Sequence, residues 1–301
     1  MNKHGYLNRI PTLFQVFNDS AKKNMSIIKE TDQFSIAEWE NVEVSNIYSH
    51  KDPREISLSG TYFIIQPHLQ YYHFMLDYVA VFCYLRSIYP NIKPIVLIKT
   101  DDEQYAKSFP YKDILDELNI DNIYALDDIN NSKTNYNKFI LEKVLYLYSK
   151  PFDVFKMEDI LLNFRSLVYK KREIDKNKKI YISRRDSNRR AGIEGEDALE
   201  KYFEDLGFKT VILTGMPILE QRDLFADAAV VVGRSGSSFT NMFFMSEETK
   251  IIDINIEFDY AAYEYKKISE ILKLNYCNIS MIASSGQEVL TKIGNFATII
   301  K

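Results

Sequence analysis

Cysteine is almost absent from this chain: Cys83 and Cys277, far apart in sequence, are its two thiols. They build neither a disulfide framework nor a zinc-ligand spacing, and a reducing compartment fits. Long apolar runs are missing as well. No stretch approaches the ~18 apolar residues of a membrane span, and the N-terminal MNKHGYLNRIPTLF lacks the apolar core of a signal peptide. The expectation is a cytoplasmic protein, with peripheral contact at the inner face of a membrane left open. Charge of one sign is not in excess: the net is −4, so the surface as a whole does not advertise nucleic acid or anionic lipid. Histidine is confined to His4, His50, His68 and His73. Internal repeats and low-complexity tracts are not seen.

What is present is the material of a soluble globular protein, 46% hydrophobic and 27% charged, with 21 Tyr and 19 Phe against a single Trp. Its 301 residues suffice for one large or two ordinary domains, each with a proper core. Residues 1–58 are weakly periodic and read as short strands and loops. Strands are then expected at Thr61–Ile65, Pro94–Lys99, Ile123–Leu126 and Phe139–Tyr146, and helices at Gln70–Ile88, Tyr111–Leu118 and Asp153–Tyr169. Beyond the charged stretch Lys170–Lys179 the alternation is cleaner. Strands are expected at Lys179–Ser183, Lys209–Leu213, Ala228–Val232 and Lys250–Ile254. Helices are expected at Glu196–Leu206, from Pro217 to Phe225, at Ser238–Met245 and at Tyr263–Leu272. Such repetition with short loops means a parallel sheet wrapped by helices. The organisation read from it is an α/β chain with an N-terminal domain over 1–150, a connecting helix and linker over 151–178, and a C-terminal domain over 179–301.

The most informative stretch runs from Ala228 to Asn241. An apolar run, Ala228–Val232, breaks at Gly233 and restarts after Gly236 as a helix, with Ser237 and Ser238 where an N-cap belongs. A strand, a tight small-residue turn and a helix start present free N–H groups and the positive end of a helix dipole, a ready site for phosphate. The competing reading is a plain βα turn whose residues are small for steric reasons.

Basic residues gather nearby in sequence. Residues 170–190 carry a net +7, so the remainder of the chain carries −11. Most of this run reads as a solvated linker, but Arg184 and Arg185 close the strand Lys179–Ser183. In an open parallel sheet that edge faces the ligand crevice, where arginine clamps phosphate oxygens with two parallel hydrogen bonds. Arg189 and Arg190 are weaker candidates for the same contact.

Gly233 to Ser237 comes within one residue of the G-x-S-x-G nucleophile elbow. A hydrolase of that kind needs a histidine after its serine, and every histidine here precedes Ser235, so Ser235 reads as a binding hydroxyl. The turn also fails the dinucleotide and Walker patterns. His73 and Asp77 stand four apart on an otherwise apolar or aromatic helix, close enough to hydrogen-bond. Such a pair is costly to bury unless it is satisfied, and it reads as functional or as a structural brace. The acid pairs Asp101–Asp102 and Asp127–Asp128 read as surface turns rather than a metal site.

Taken in order, these segments resemble glycosyltransferase family 61. Tyr181-Ile182-Ser183-Arg184-Arg185 is similar to that family's strand-plus-arginine motif, and Arg189-Arg190 to the arginines that follow. Glu196–Phe208 resembles its acidic helix leading to L-G-F, and Glu220-Gln221 with Leu224-Phe225-Ala226 its E-Q-x-x-L-F-A segment. Gly233–Phe244 resembles G-x-H-G-A-G-L-T-N-L-x-F, and Tyr72-His73-Phe74 with Asp77 the H-F-x-x-D helix. Ser235 stands where the family has His, and Ser238 where it has Gly; Arg234 offers a replacement for the missing positive charge. The resemblance implies a GT-B architecture, two Rossmann-like domains facing across a cleft. The implied reaction is inverting, metal-independent transfer of a sugar from a nucleotide donor, UDP-linked by preference, to a glycan hydroxyl in polysaccharide or glycan biosynthesis. No cofactor beyond the donor is implied. The donor site would comprise Arg184, Arg185, Arg189, Glu220, Arg234, Ser235, Gly236, Ser237 and Ser238. Asp77 would be the base, with His73 orienting it or exchanging roles with it. The alternatives are a non-catalytic nucleotide-sugar-binding subunit of a polysaccharide assembly complex, and a nucleic-acid binder using 170–190, which the acidic remainder opposes.

Overall fold

The computed structural model describes residues 25–30, 34–44, 54–65, 71–98, 111–120, 123–125, 137–148, 157–186, 195–256, 261–283 and 285–293. The chain divides into two compact units, Met1–Asn163 and Phe164–Lys301. No helix among the described residues is long and apolar enough to cross a membrane.

The first unit is built on a six-stranded mixed sheet. Its strands are β1 (Met25–Glu30), β2 (Ser35–Val44), β3 (Arg54–Ile65), β4 (Lys93–Ile98), β5 (Ile123–Ala125) and β6 (Asn137–Tyr148), in the order β1-β2-β6-β3-β4-β5. β1 pairs with β2 and β2 with β6 in antiparallel fashion, whereas β6, β3, β4 and β5 form a parallel block. β1 and β2 lie in the region whose sequence is only weakly periodic, and β2 shows why. Ala37 and Trp39 face the core, but beyond Asn41, at φ 52°, the inward residues are Val42 and Val44. One left-handed residue shifts the phase of the alternation and hides the strand from a period-two reading.

A continuous helical stretch, residues 71–88 (α1), follows β3. Its middle, Phe74–Ala80, is wound as a π-helix between the α-helical Tyr71–His73 and Val81–Ile88. Phe74, Met75, Leu76, Val79, Ala80, Phe82 and Leu85 are buried almost completely, so the helix is apolar nearly all round and sits inside the unit. A further helix is α2 (Lys112–Glu117), and α3 (Glu158–Val168) spans the division between the two units.

The second unit is a doubly wound parallel sheet. β7 (Asp175–Ile182), α4 (Glu196–Asp205), β8 (Lys209–Val211), α5 (Ile218–Phe225) and β9 (Ala228–Arg234) come first. A 3-10 helix (Ser237–Phe244), β10 (Lys250–Ile256), α6 (Ala261–Ile271), β11 (Asn275–Met281) and α7 (Gly286–Ile293) complete it. β7 starts at Asp175, inside the charged stretch, because exposed lysines tolerate a strand whose far half alone is buried. β11 is a strand missed by the sequence reading; only Met281 of its seven residues is buried, so it carries little apolar signal.

All pairings in this sheet are parallel, in the order β11-β10-β9-β7-β8. The first strand therefore lies between the second and the third. At that switch point the connections leave in opposite directions and open a crevice at the carboxyl ends of β7 and β9. One face of the sheet packs Tyr181, Val230, Val232, Ile252 and Ile254 against Leu199 and Phe203 of α4 and Val289 and Ile293 of α7. Tyr181 stacks on Phe203 with ring centroids 4.5 Å apart. Val231 and Val232 are fully buried, each contributing roughly 1.5–3 kcal/mol to holding β9 in the sheet.

Candidate functional site

Two chain segments meet at the switch point. One leaves β7 through Ser183 and Arg184; the other leaves β9 through Ser235 and Gly236. Arg184 is half-buried and donates from its guanidinium to the carbonyl oxygen of Ser235. The same guanidinium lies over the α-carbon of Gly236. Burial, and then the neighbouring guanidinium of Arg234, hold the Arg184 pKa below the usual arginine value. The strand-end arginine and the small-residue turn thus form one cationic mouth.

Glu196, the first residue of α4, ties this mouth to the sheet. Its Oε1 accepts from the Tyr181 hydroxyl at 2.8 Å and from the Arg184 N–H at 3.0 Å. Its Oε2 lies 2.8 Å from Nη2 of Arg234, which is only 3% exposed. Arg234 therefore supplies charge from within the fold rather than a surface contact. Burial and the Glu196 carboxylate both push the Tyr181 pKa up, so it stays a neutral donor. Arg185 turns to a different partner. Its guanidinium pairs with Glu200, Nε lying 3.1 Å from Oε1, and Ser183 Oγ donates to the same oxygen at 2.6 Å.

Ser235 is held from three sides. Its hydroxyl donates to Oδ1 of the buried Asp253, its N–H to the carbonyl of Ile254 at 3.0 Å, and its carbonyl receives Arg184. The Tyr276 hydroxyl donates to the other Asp253 oxygen at 2.6 Å. Tyr265, fully buried, sits within the fields of Asp253 and Arg184. The helix that follows is 3-10 rather than α, and Gly236, not a serine side chain, occupies its N-cap. Ser237 is exposed and Ser238 half-buried. Asn241 Nδ2 fixes this first turn, donating to the Ser238 carbonyl and to Gln221 Oε1, both at 2.9 Å. The far end is capped by Arg165, which donates to the carbonyls of Met242, Phe243 and Met245 at 3.0, 2.9 and 2.7 Å. On α5, Glu220 is exposed while its neighbour Gln221 is buried. Arg189, Arg190 and the acid pairs at 101–102 and 127–128 lie outside the described residues.

In the first unit, Nδ1 of His73 lies 2.8 Å from Oδ2 of Asp77, their side chains 15% and 26% exposed. The pair opens the π-helical segment, a winding that recurs at functional sites. Oδ1 of Asp77 is buried and has no hydrogen-bond partner among the described residues. The nearby phenols of Tyr78 and Tyr146 are pushed well up, first by burial and further by the Asp77 charge. No three His, Cys, Asp or Glu side chains gather in one place among the described residues.

Arg184, Arg234, Ser235 and Gly236 are thus brought together, with Ser237 and Ser238 at the rim and Arg185 turned to Glu200. Sequence reading missed Glu196, Glu200, Gln221, Asn241, Asp253 and Tyr276. For two of these a signal existed. Glu196 and Glu200 share the helix face of Leu199 and Phe203, an apolar stripe on which a carboxylate needs a buried partner.

The profile of the family described as Glycosyltransferase 61 matches residues 71–252. That span takes in the His73–Asp77 pair, Arg184, Glu196 and the turn after β9. No curated protein matches the chain.

Proposed function

The chain belongs to the glycosyltransferase 61 family, and from that premise we propose that it transfers a sugar from a UDP-linked donor to a glycan hydroxyl with inversion. The observation that carries the reading is the guanidinium of Arg184 seated on Ser235 and Gly236 at the switch point of a parallel sheet. The donor diphosphate docks at this mouth, between Arg184 and the N–H groups around Gly236–Ser238. As the glycosidic bond to the phosphate breaks, charge accumulates on the leaving diphosphate. Arg184 at contact and Arg234 at longer range stabilise it, preorganised electrostatics of the kind that accelerates group transfer most. A metal ion is not required in this scheme. Asp77 takes the proton of the acceptor hydroxyl, while His73 fixes the carboxylate. The family's GT-B arrangement, cytoplasmic placement and a role in polysaccharide assembly belong to the same proposal.

The test begins with UDP titrated into the full chain by calorimetry, followed by chromatographic detection of UDP release from UDP-sugars with and without EDTA. Binding, and release that survives EDTA, support the reading. No UDP binding removes it. The non-catalytic alternative gains its support from Ser235, whose hydroxyl is spent on Asp253 where the family has His; UDP binding without release or transfer from any UDP-sugar would favour it. The nucleic-acid alternative is weakened because Arg172, Lys178 and Arg185 of the basic run pair with Asp223, Asp227 and Glu200.

A further inference from the structure

Gly236 raises a question that its backbone does not answer. Its φ of 164° and ψ of 177° are extended values, open to any residue, so conformational freedom is not what glycine supplies here. Space is. A β-carbon at this position would lie 2.6 Å from Nη1 of Arg184, 2.9 Å from Cζ and 3.2 Å from Nη2. Three atoms of one planar group cover the same α-carbon, and the first two lie closer than real side-chain carbons approach other atoms.

The rest of the seat is rigid. The Ser235 carbonyl that receives the guanidinium belongs to a residue already tied by its N–H to Ile254 and by its hydroxyl to Asp253. At the other end of the arginine, its own N–H is fixed on Glu196 at 3.0 Å. Arg184 is therefore anchored at the backbone and at the head, and a β-carbon on residue 236 would push the head off its support.

We infer that Gly236 is a positioning residue that acts through Arg184: its missing side chain is the seat that aims the guanidinium at the donor diphosphate. The inference rests on the reading of this mouth as the donor site. It differs from the usual role of glycine in a phosphate turn, where the backbone itself approaches the anion. A preoriented guanidinium loses less freedom when the anion arrives, and that saving appears as affinity.

A double-mutant cycle on the full chain, with UDP as the calorimetric probe, separates the two roles. Gly236→Ala should weaken UDP binding about 10- to 100-fold, as expected for a lost charge-assisted hydrogen bond, and close to the loss in Arg184→Ala. The double variant should bind within about twofold of Arg184→Ala alone, because the seat is irrelevant once its occupant is gone. Wild-type affinity in Gly236→Ala, or losses that multiply in the double variant, would overturn the inference while leaving the donor site standing. Wild-type affinity in Arg184→Ala would overturn the donor-site reading itself, and this inference with it. Should Gly236→Ala fail to fold, thermal melting of the double variant decides: recovered folding identifies the clash with Arg184 as the cause, and continued failure overturns it.

Discussion

The two candidate sites differ in how many partners their polar groups hold. At the mouth of the second unit Glu196, Ser235 and Asp253 each hold two or more partners, and the whole forms a connected set reaching from β7 to β11. On the π-helical segment of the first unit a single contact joins His73 to Asp77, and one Asp77 oxygen is left without a hydrogen bond among the described residues. A site that stabilises charge profits from having every group fixed in advance, since nothing must reorganise as charge develops. A carboxylate that takes a proton needs a partner that orients it without engaging both of its oxygens. The contrast between a network of many partners and a singly paired carboxylate thus sets the proposed binding site apart from the proposed base.

The sharpest way to break this comparison is Asp77→Asn. Turnover should fall by roughly 10²–10⁴-fold while UDP affinity stays within a few-fold; near-normal turnover in a UDP-release assay would remove Asp77 as base. Next comes Glu196→Ala, which leaves the buried Arg234 cation without its carboxylate. Denaturant unfolding should show a loss of about 3–5 kcal/mol, and a small loss would mean that the network does not hold the mouth. Arg184→Ala should cost about 1.5–3 kcal/mol in UDP binding by calorimetry with little change in unfolding. The two thiols offer a chemical contrast between the units. Burial pushes the Cys83 thiol up to about 12, so at pH 8 almost none of it is the reactive thiolate. Half-buried Cys277 should therefore react first with a disulfide reagent, and Cys83 only after denaturation; equal rates would contradict the packing around α1. The smallest effect is expected at the exposed Lys112–Asp116 pair of α2, where Lys112→Ala should change unfolding stability by less than ~0.5 kcal/mol.

Much of the second unit is legible in its sequence. Ala228–Val232 reads as a buried strand because its residues are continuously apolar, and α4 reads to within a residue because Gly207, at φ 82°, closes it. Arg184 is legible as a strand-end cation. The first unit reads less well. Asn41 reverses the inward face of β2, and the π winding of α1 leaves no mark in a pattern that is apolar at almost every position. The serines after Gly236 look like caps, but the helix they open is a 3-10 helix whose first turn is held by Asn241 and Gln221.

By itself the sequence determined the alternation of strands and helices and the residue types at the turn after β9. These follow from local periodicity and backbone preference, which act over a few residues. Only the tertiary structure decided that Arg184 meets Ser235, 51 positions away, that Glu196 serves Tyr181, Arg184 and Arg234 together, and that Gly236 is a seat. The reason is strand order: β9 inserts beside β7 rather than beside β8. Polar groups buried at that junction then gain by pairing across it, because burial removes the solvent partners they would have in the unfolded chain.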